Sequence, residues 1–204
     1  MPGETDVVNV ALHLIGGTRI TSLGDGTKNA NVANDIYTEV RDNLLRSHPW
    51  NFATKRVQLA QLVATPAFEF DFAYALPADW IRTISVHHND AGFGTLLYRA
   101  EFLGSQRVIV ASADQCWMRY IYQVEDPNQM DPAFRRALEL SLAKDLSIAL
   151  ASSNRLQNDL DVQATRAINA ARSADAMGAF PEMRPRGSWA RSRGGRARND
   201  FLND

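Results

Sequence analysis

The sequence predicts an α+β fold: a four-helix bundle with an inserted small antiparallel β domain and an extended C-terminal tail. Three observations predict it: apolar residues four apart at both ends of the body, a middle part rich in β-branched and aromatic residues, and a tail of Arg, Gly, Ser and Pro. Each predicted helix is amphipathic and has to bury its apolar face, which other helices can cover. The predicted divisions are residues 1–53, 54–125, 126–179 and 180–204.

Two helices are predicted in the first 50 residues. In the first, apolar residues recur at helical spacing, Thr5 is placed to cap the start, and Gly16 with Gly17 ends the pattern. In the second, Pro49 disfavours helical geometry at His48, so the helix ends near that residue. The apolar positions are Val8, Leu12 and Ile15 in the first helix and Val32, Ile36, Val40 and Leu44 in the second.

A small antiparallel sheet or barrel of four to six strands is predicted between residues 55 and 124. Runs of β-branched and aromatic residues alternate there with turn signals. Phe68, Phe70, Phe72 and Tyr74 alternate with other residues, which predicts that one aromatic face points inward. The candidate strands are Arg56–Leu62, Phe68–Ala75, Ile81–His88, Leu96–Arg99, Arg107–Val110 and Trp117–Val124.

Two more helices follow. Asp131 is a good N-cap, and Pro132 fits the first helical position of the third helix. Asn154 with Gln157 resembles a capping box at the start of the fourth helix. The apolar positions of the third helix are Phe134, Leu138, Leu142 and Leu146, which lie four apart.

Composition and charge exclude several classes of protein. The 204 residues carry 22 basic and 23 acidic side chains, and 45% of them are hydrophobic, which excludes a disordered, collagen-like or coiled-coil chain. No run approaches 18 apolar residues, so no membrane contact is expected. The single cysteine, Cys116, excludes an intrachain disulfide and is interpreted as a small core residue.

The charge is unevenly distributed along the chain. Residues 180–204 hold six arginines and three acidic residues, a net charge of +3, whereas the rest holds 16 basic and 20 acidic residues, a net charge of −4. This asymmetry predicts that the tail binds a partner. Because the tail has almost no apolar periodicity, we expect it to be flexible until that partner binds.

The sequence contains no strong signal for catalysis. His87 and His88 are adjacent, so on a strand they point to opposite faces, which is poor geometry for a metal ion. The chain contains no HExxH, CxxC or GxSxG pattern. We therefore expect no catalytic residues, no metal site and no cofactor.

One segment is recognisable. Residues 41–53, RDNLLRSHPWNFA, resemble a segment of tail tubular protein A, the head-to-tail adaptor family of short-tailed bacteriophages. Three more stretches resemble the same family in the same order, so the resemblance spans nearly the whole chain. They are residues 74–82 (YALPADWIR), 131–134 (DPAF) and 185–189 (PRGSW).

The resemblance implies a structural virion protein and not an enzyme. Family members form a homo-oligomeric ring, typically of twelve copies, beneath the portal protein of the DNA-filled capsid. The ring extends the DNA channel and carries the tail nozzle, a tail tubular protein B-like protein. Genomic double-stranded DNA would pass through the lumen without sequence-specific binding. The implied location is the head–tail junction of the virion, after assembly in the host cytoplasm.

The resemblance also directs attention to particular residues. Because the tail of such adaptors embraces the portal, the expected portal contacts are Trp189, Arg186, Arg191, Arg193 and Arg196. The loop from residue 87 to 94 is the candidate nozzle contact, through His87, His88, Asp90 and Phe93.

A third group of residues is expected to join the bundle to the β domain. After Pro49 ends the helix, Trp50 and Phe52 can wedge large apolar surfaces between the two parts, each worth roughly 1.5–3 kcal/mol when buried. Asn51 is expected to satisfy backbone groups exposed at the helix end. The residues of this junction are His48, Pro49, Trp50 and Phe52.

Two alternative functions stay open at this point. Glu69 and Asp71 share one face of a predicted strand, as the carboxylates of a virion-associated peptidoglycan hydrolase would, although a solvated strand face is the simpler interpretation. A DNA-binding protein acting through its arginine-rich tail is the other alternative. No helix-turn-helix spacing or basic recognition helix supports it.

Overall fold

The computed structural model describes residues 3–92 and 94–178. These ranges contain four α-helices and six strands, in the order two helices, six strands, two helices. The helices are α1 (Glu4–Leu14), α2 (Lys28–Arg46), α3 (Pro132–Ala151) and α4 (Asn154–Met177). The strands are β1 (Thr54–Gln58), β2 (Phe72–Ala75), β3 (Trp80–His87), β4 (Tyr98–Leu103), β5 (Gln106–Ala111) and β6 (Trp117–Tyr122). None of the helices in this part of the chain combines the length and apolar character of a membrane span.

The prediction of a four-helix bundle with an inserted small β domain is wrong. The fold is a mixed α+β arrangement in which α3 packs along α4 and against α1 and α2, while α1 and α2 pack against each other less closely. The main core is not purely helical, because Ile121 of β6 is buried in the same cluster as Leu45 and Leu142. Helical periodicity identifies a face that must be buried, but it does not say whether a helix or a sheet covers it. The predicted tail lies outside the described residues.

The first sheet, with the strand order β1-β6-β3, contributes to two cores. Side chains alternate between the two faces of a strand. On β6, Ile121 points into the helical core, whereas Met118 and Tyr120 point into a second core shared with the other sheet. The sheet is therefore a layer between the helices and the remaining strands, and not part of a projecting domain.

The second sheet has the order β2-β5-β4 and lies against the first. Isolated backbone bridges pair Gln61, which follows β1, with Tyr74 of β2, and His87, at the end of β3, with Thr95, which precedes β4. The β part is thus a continuous layered structure fixed to the helices through β6 and β3.

The predicted inward aromatic face is wrong in its first half. The strand begins only at Phe72, because Glu69 has a φ of +71° and interrupts the extended backbone. Phe68 is consequently 80% exposed. Phe70 packs in a small cluster on the outer side of the second sheet, whereas Tyr74 lies in the core between the sheets.

Helix starts were predicted with mixed success. The cap of α3 is confirmed, since the Asp131 carboxylate accepts a hydrogen bond from the Ala133 N–H at 2.8 Å. The Asn154 capping box is wrong, because Ser153 is the N-cap of α4 and accepts from the Leu156 N–H. Gly3, and not Thr5, precedes the first turn of α1.

Candidate functional site

Residues 48–52 form an aromatic junction between the end of α2 and the start of α3. Trp50 is fully buried, and its indole N–H donates to the carbonyl oxygen of Leu44 at 3.0 Å, an acceptor near the end of α2 to which the Ser47 hydroxyl also donates at 2.8 Å. The ring centroids of Trp50 and Phe52 lie 5.0 and 4.9 Å from that of Phe134, both edge-on. Such contacts stabilise aromatic clusters beyond the area they bury.

The same segment holds the end of α4. The Asn51 backbone N–H donates to Oδ1 of Asp175 at 2.9 Å, and the Asn51 side-chain amide donates to the Asp175 carbonyl oxygen at 2.7 Å. His48 Nε2 lies 3.4 Å from Asp175 Oδ2. Asn51 therefore does satisfy a backbone group at a helix end, but the helix is α4 and not α2.

Burial controls the charge of His48. Removal from water lowers its pKa below the ordinary value, and Arg172 and Arg82 lower it further, against the opposing effect of the Asp175 carboxylate. The imidazole is therefore neutral at pH 7. His48 also packs edge-on against Trp50, with ring centroids 4.7 Å apart, so its ring is part of the junction.

Residues 41–46 add further connections. The buried Arg41 guanidinium forms ion pairs with Asp42 at 2.9 Å and with Glu4 of α1 at 3.7 Å. Arg46 Nη1 donates to the Ile81 carbonyl oxygen at 2.7 Å and thereby ties the end of α2 to β3. The segment that carries the family resemblance thus contacts α1, α3, α4 and the first sheet.

No protein-family model matches this chain, and no curated protein sequence matches it either.

A second candidate site is a groove of about 670 Å³ on the first sheet. It opens on the face that carries Ile121, at the other end of the strands, where side chains from all three strands form two rows. The first row is Arg56, Arg119 and Ser85, and the second is Gln58, Trp117 and His87.

Three side chains that can only donate hydrogen bonds, Arg56, Arg119 and Trp117, line this groove. Arg56 and Arg119 are directly opposite each other on adjacent strands, a position in which like charges repel. Arg56 is exposed and makes no ion pair with any residue in the described ranges. The buried indole N–H of Trp117 also has no hydrogen-bond partner there. A buried donor left unpaired costs about 1–3 kcal/mol, so the groove is suited to a ligand that supplies acceptors.

The predicted nozzle residues lie at the edge of this groove. His87 and Asp90 line it, and His88 is exposed beside them. His87 is held by contacts of Nε2 with Ser85 Oγ at 3.0 Å and of Nδ1 with the Gly94 carbonyl oxygen at 3.2 Å. Phe93 lies outside the described residues. The contact of this loop with a nozzle protein stays a prediction.

The predicted portal residues are not placed by the structure. Trp189, Arg186, Arg191, Arg193 and Arg196 all lie beyond residue 178, outside the described ranges.

The structure does not arrange the residues considered for catalysis, Glu69, Asp71 and Cys116, as a catalytic site. Glu69 is ion-paired with Arg99 at 3.3 Å, and both Glu69 and Asp71 precede β2 and are exposed. Burial raises the pKa of the Cys116 thiol to about 12. Across residues 3–92 and 94–178, no group of three or more His, Cys, Asp or Glu side chains is placed to hold a metal ion.

The sequence did not point to Asp175 or to the groove lined by Arg56 and Arg119 on the first sheet, the arginine groove. The contact between Asn51 and Asp175 joins residues 124 positions apart, and no local pattern signals it. The Arg56–Arg119 pair depends on the register between β1 and β6, which are not consecutive. One signal was present: Arg119 interrupts an apolar strand between Met118 and Tyr120, and a charge there indicates a polar face.

Proposed function

We propose that this chain is a structural protein of the virion, a head-to-tail adaptor that assembles as a ring, of twelve copies by family resemblance, beneath the portal protein. The ring extends the DNA channel and gives the tail nozzle its docking platform. The observation that carries the proposal is the position of residues 41–53, which bear the family resemblance and contact α1, α3, α4 and the first sheet.

The contacts of this segment support an architectural role. A ring subunit has to hold its two ends in a fixed relative orientation, because small angular errors add up around a closed ring. Trp50 and Phe52 fill the space beside α3, and Arg46 fixes α2 to β3. These side chains are engaged with the protein itself.

The exposed apolar side chains of the β part support contacts with neighbouring proteins. Such side chains offer area that a neighbouring subunit or the nozzle would bury. They are Val63, Phe68, Leu97 and Phe102, which are between 63% and 102% exposed.

The charge distribution supports passage of DNA without binding. The described residues carry 16 basic and 20 acidic side chains, so a ring of such bodies presents a negative field. DNA phosphates are repelled weakly by such a lumen and do not adhere to it. The arginine-rich residues 180–204 would make the contact with the portal protein, through Trp189 and its arginine neighbours.

The test uses DNA-filled heads that bear the portal protein. The full chain is expected to bind them and to close the head, measured by retained DNA and by co-sedimentation. Deletion of residues 180–204 is expected to abolish binding, and a Trp189→Ala variant to weaken it. A matched Trp80→Phe variant, altered in the body, controls for general loss of tryptophan. Failure of the full chain to bind would overturn the proposed function, and undiminished binding after the deletion would overturn the tail contact.

A second measurement addresses assembly. The mass of the protein in solution is compared before and after mixing with a purified portal ring. Incorporation of a fixed number of copies per portal ring supports the adaptor role. A protein that keeps its free mass in the presence of the portal contradicts it.

A further inference from the structure

The arginine groove on the first sheet lacks an occupant that its chemistry calls for. Arg56 and Arg119 lie opposite each other, and the Trp117 indole N–H beside them is buried without a partner in the described ranges. Asp90 is the single carboxylate among the lining residues in that part of the chain, so the lining carries a net charge of +1. Arg119 has contacts of its own, but a guanidinium carries five donors and can serve more than one acceptor.

The groove also offers apolar surface. The ring of Trp117 lines it beside the arginines. A ligand that matches the groove therefore combines carboxylates, spaced over a few residues, with one or two apolar side chains. Trp and Arg together are the commonest anchors of such protein contacts.

We propose that this groove binds residues 200–204 of the same chain, Asp-Phe-Leu-Asn-Asp. This segment carries two carboxylates, at Asp200 and Asp204, and two adjacent apolar residues between them. The segment carries a charge of −2, which is opposite in sign to the +1 charge of the groove lining and larger in magnitude. It follows directly after the arginine-rich stretch and is the one acidic cluster of residues 183–204.

The path from the end of α4 to the groove is short compared with the chain available. The Asn51–Asp175 hydrogen bonds place the end of α4 beside residue 51, and Arg56 lies five residues further along the chain. Five extended residues span at most about 18 Å. The 22 residues from Gly178 to Asp200 reach up to about 75 Å when extended. Attachment to the same chain also raises the effective concentration of the segment at the groove into the millimolar range.

The charge of the body argues against nucleic acid as the occupant. The described residues have a net charge of −4, and a long polyanion is repelled by that field even where a local positive site exists. A short segment with two carboxylates avoids most of this repulsion. This inference is independent of the virion role, because it concerns a contact within one chain.

The experiment is a disulfide cross-link in the full chain. Gln58, exposed and in the groove, and Asn203 are both changed to cysteine, and cross-linking under mild oxidation is followed by gel mobility and by the mass of the linked peptides. A disulfide requires the two Cβ atoms to come within about 4.5 Å. The matched control pairs Asn203→Cys with Glu39→Cys, because Glu39 is exposed on α2, which contributes no residue to the groove within the described ranges.

We expect the groove pair to form an intramolecular disulfide at least tenfold faster than the control pair. Arg56→Glu is expected to slow the reaction to the control rate, Arg56→Lys to preserve it, and Asp200→Lys to restore it in the Arg56→Glu background. Equal rates for the two pairs would overturn the proposal, as would a rate that ignores Arg56→Glu. Disulfide-linked dimers, or protection of the thiol at position 58 by an added glutamate decapeptide but not by residues 200–204, would assign the groove to a different occupant and overturn it too.

Discussion

Asn51 and Asp175 are joined by two hydrogen bonds, of 2.9 and 2.7 Å, across 124 positions of sequence. One uses the Asp175 carboxylate and the other its backbone carbonyl oxygen, so both the side chain and the end of α4 are held. Helix α4 otherwise packs mainly along α3. This pair therefore determines where the last turn of α4 lies relative to the aromatic junction.

Asp175→Ala is expected to lower the free energy of unfolding by about 0.5–1.5 kcal/mol, because the hydrogen bond from the Asn51 N–H is lost at an exposed residue, where water can take the place of the acceptor. Urea denaturation measures the change. Asp159→Ala, an exposed carboxylate on the same helix, is the matched control and is expected to stay within about 0.5 kcal/mol of the original. Equal stabilities of the two variants would show that the contact between Asn51 and Asp175 contributes nothing to stability.

His48 is expected to make stability depend on pH. Its pKa is lowered in the folded protein, mainly by burial, so the unfolded chain binds the proton more readily. The stability contribution is complete above the unfolded pKa of about 6.5 and is lost as the pH falls from there through the lowered folded pKa. Unfolding in urea between pH 7 and pH 5 measures this slope. His48→Gln should reduce this dependence of stability on pH. An unchanged slope would refute its assignment to His48.

Trp50→Ala is expected to cost about 3–5 kcal/mol, because it opens a cavity beside Phe134 and removes the indole hydrogen bond to the Leu44 carbonyl oxygen, which keeps its contacts with Ser47. Trp50→Phe retains most of the ring and should cost less. Thermal unfolding or urea titration distinguishes the two. The control is Phe68→Ala, at an 80% exposed position, for which no more than about 0.5 kcal/mol is expected. Similar losses of stability for Trp50→Ala and Phe68→Ala would contradict a stabilising role of the aromatic junction.

Arg56→Gln is expected to leave the protein as stable as before or to raise its stability by about 0.2–1 kcal/mol, because it removes a like-charge pair with Arg119. Arg107→Gln on β5 is the contrasting variant: its guanidinium lies 5.2 Å from the ring centroids of both Trp80 and Phe102, and its loss should be destabilising. Chemical denaturation of the pair tests this. A clear loss of stability for Arg56→Gln would mean that Arg56 supports the fold.

Local signals in the sequence identified the elements but not their partners. Asp131 followed by Pro132 predicted the start of α3, since capping depends on neighbouring residues alone. The choice between a helical bundle and a mixed core depended on Ile121, which no helical pattern links to α3. The Phe68–Tyr74 alternation failed because Glu69 adopts a positive φ, a backbone state that side-chain periodicity does not encode.

The candidate sites divide in the same way. Trp50 and Phe52 stand out in the sequence because a proline, two large aromatic residues and a helix end are adjacent. Both rings pack against Phe134 of α3, and their predicted role as a wedge against the β domain stays a prediction. The arginine groove and Asp175 do not stand out, because each is assembled from residues brought together by strand register or helix packing.

Strand β6 has a consequence for how the molecule comes apart. Ile121 is buried among the helices, while Met118 and Tyr120 are buried between the two sheets. Loss of either the helical layer or the second sheet would therefore expose apolar side chains of the same strand, β6. The helical and β layers should therefore melt together in one calorimetric transition, and amide protons of β6 should exchange only through global opening.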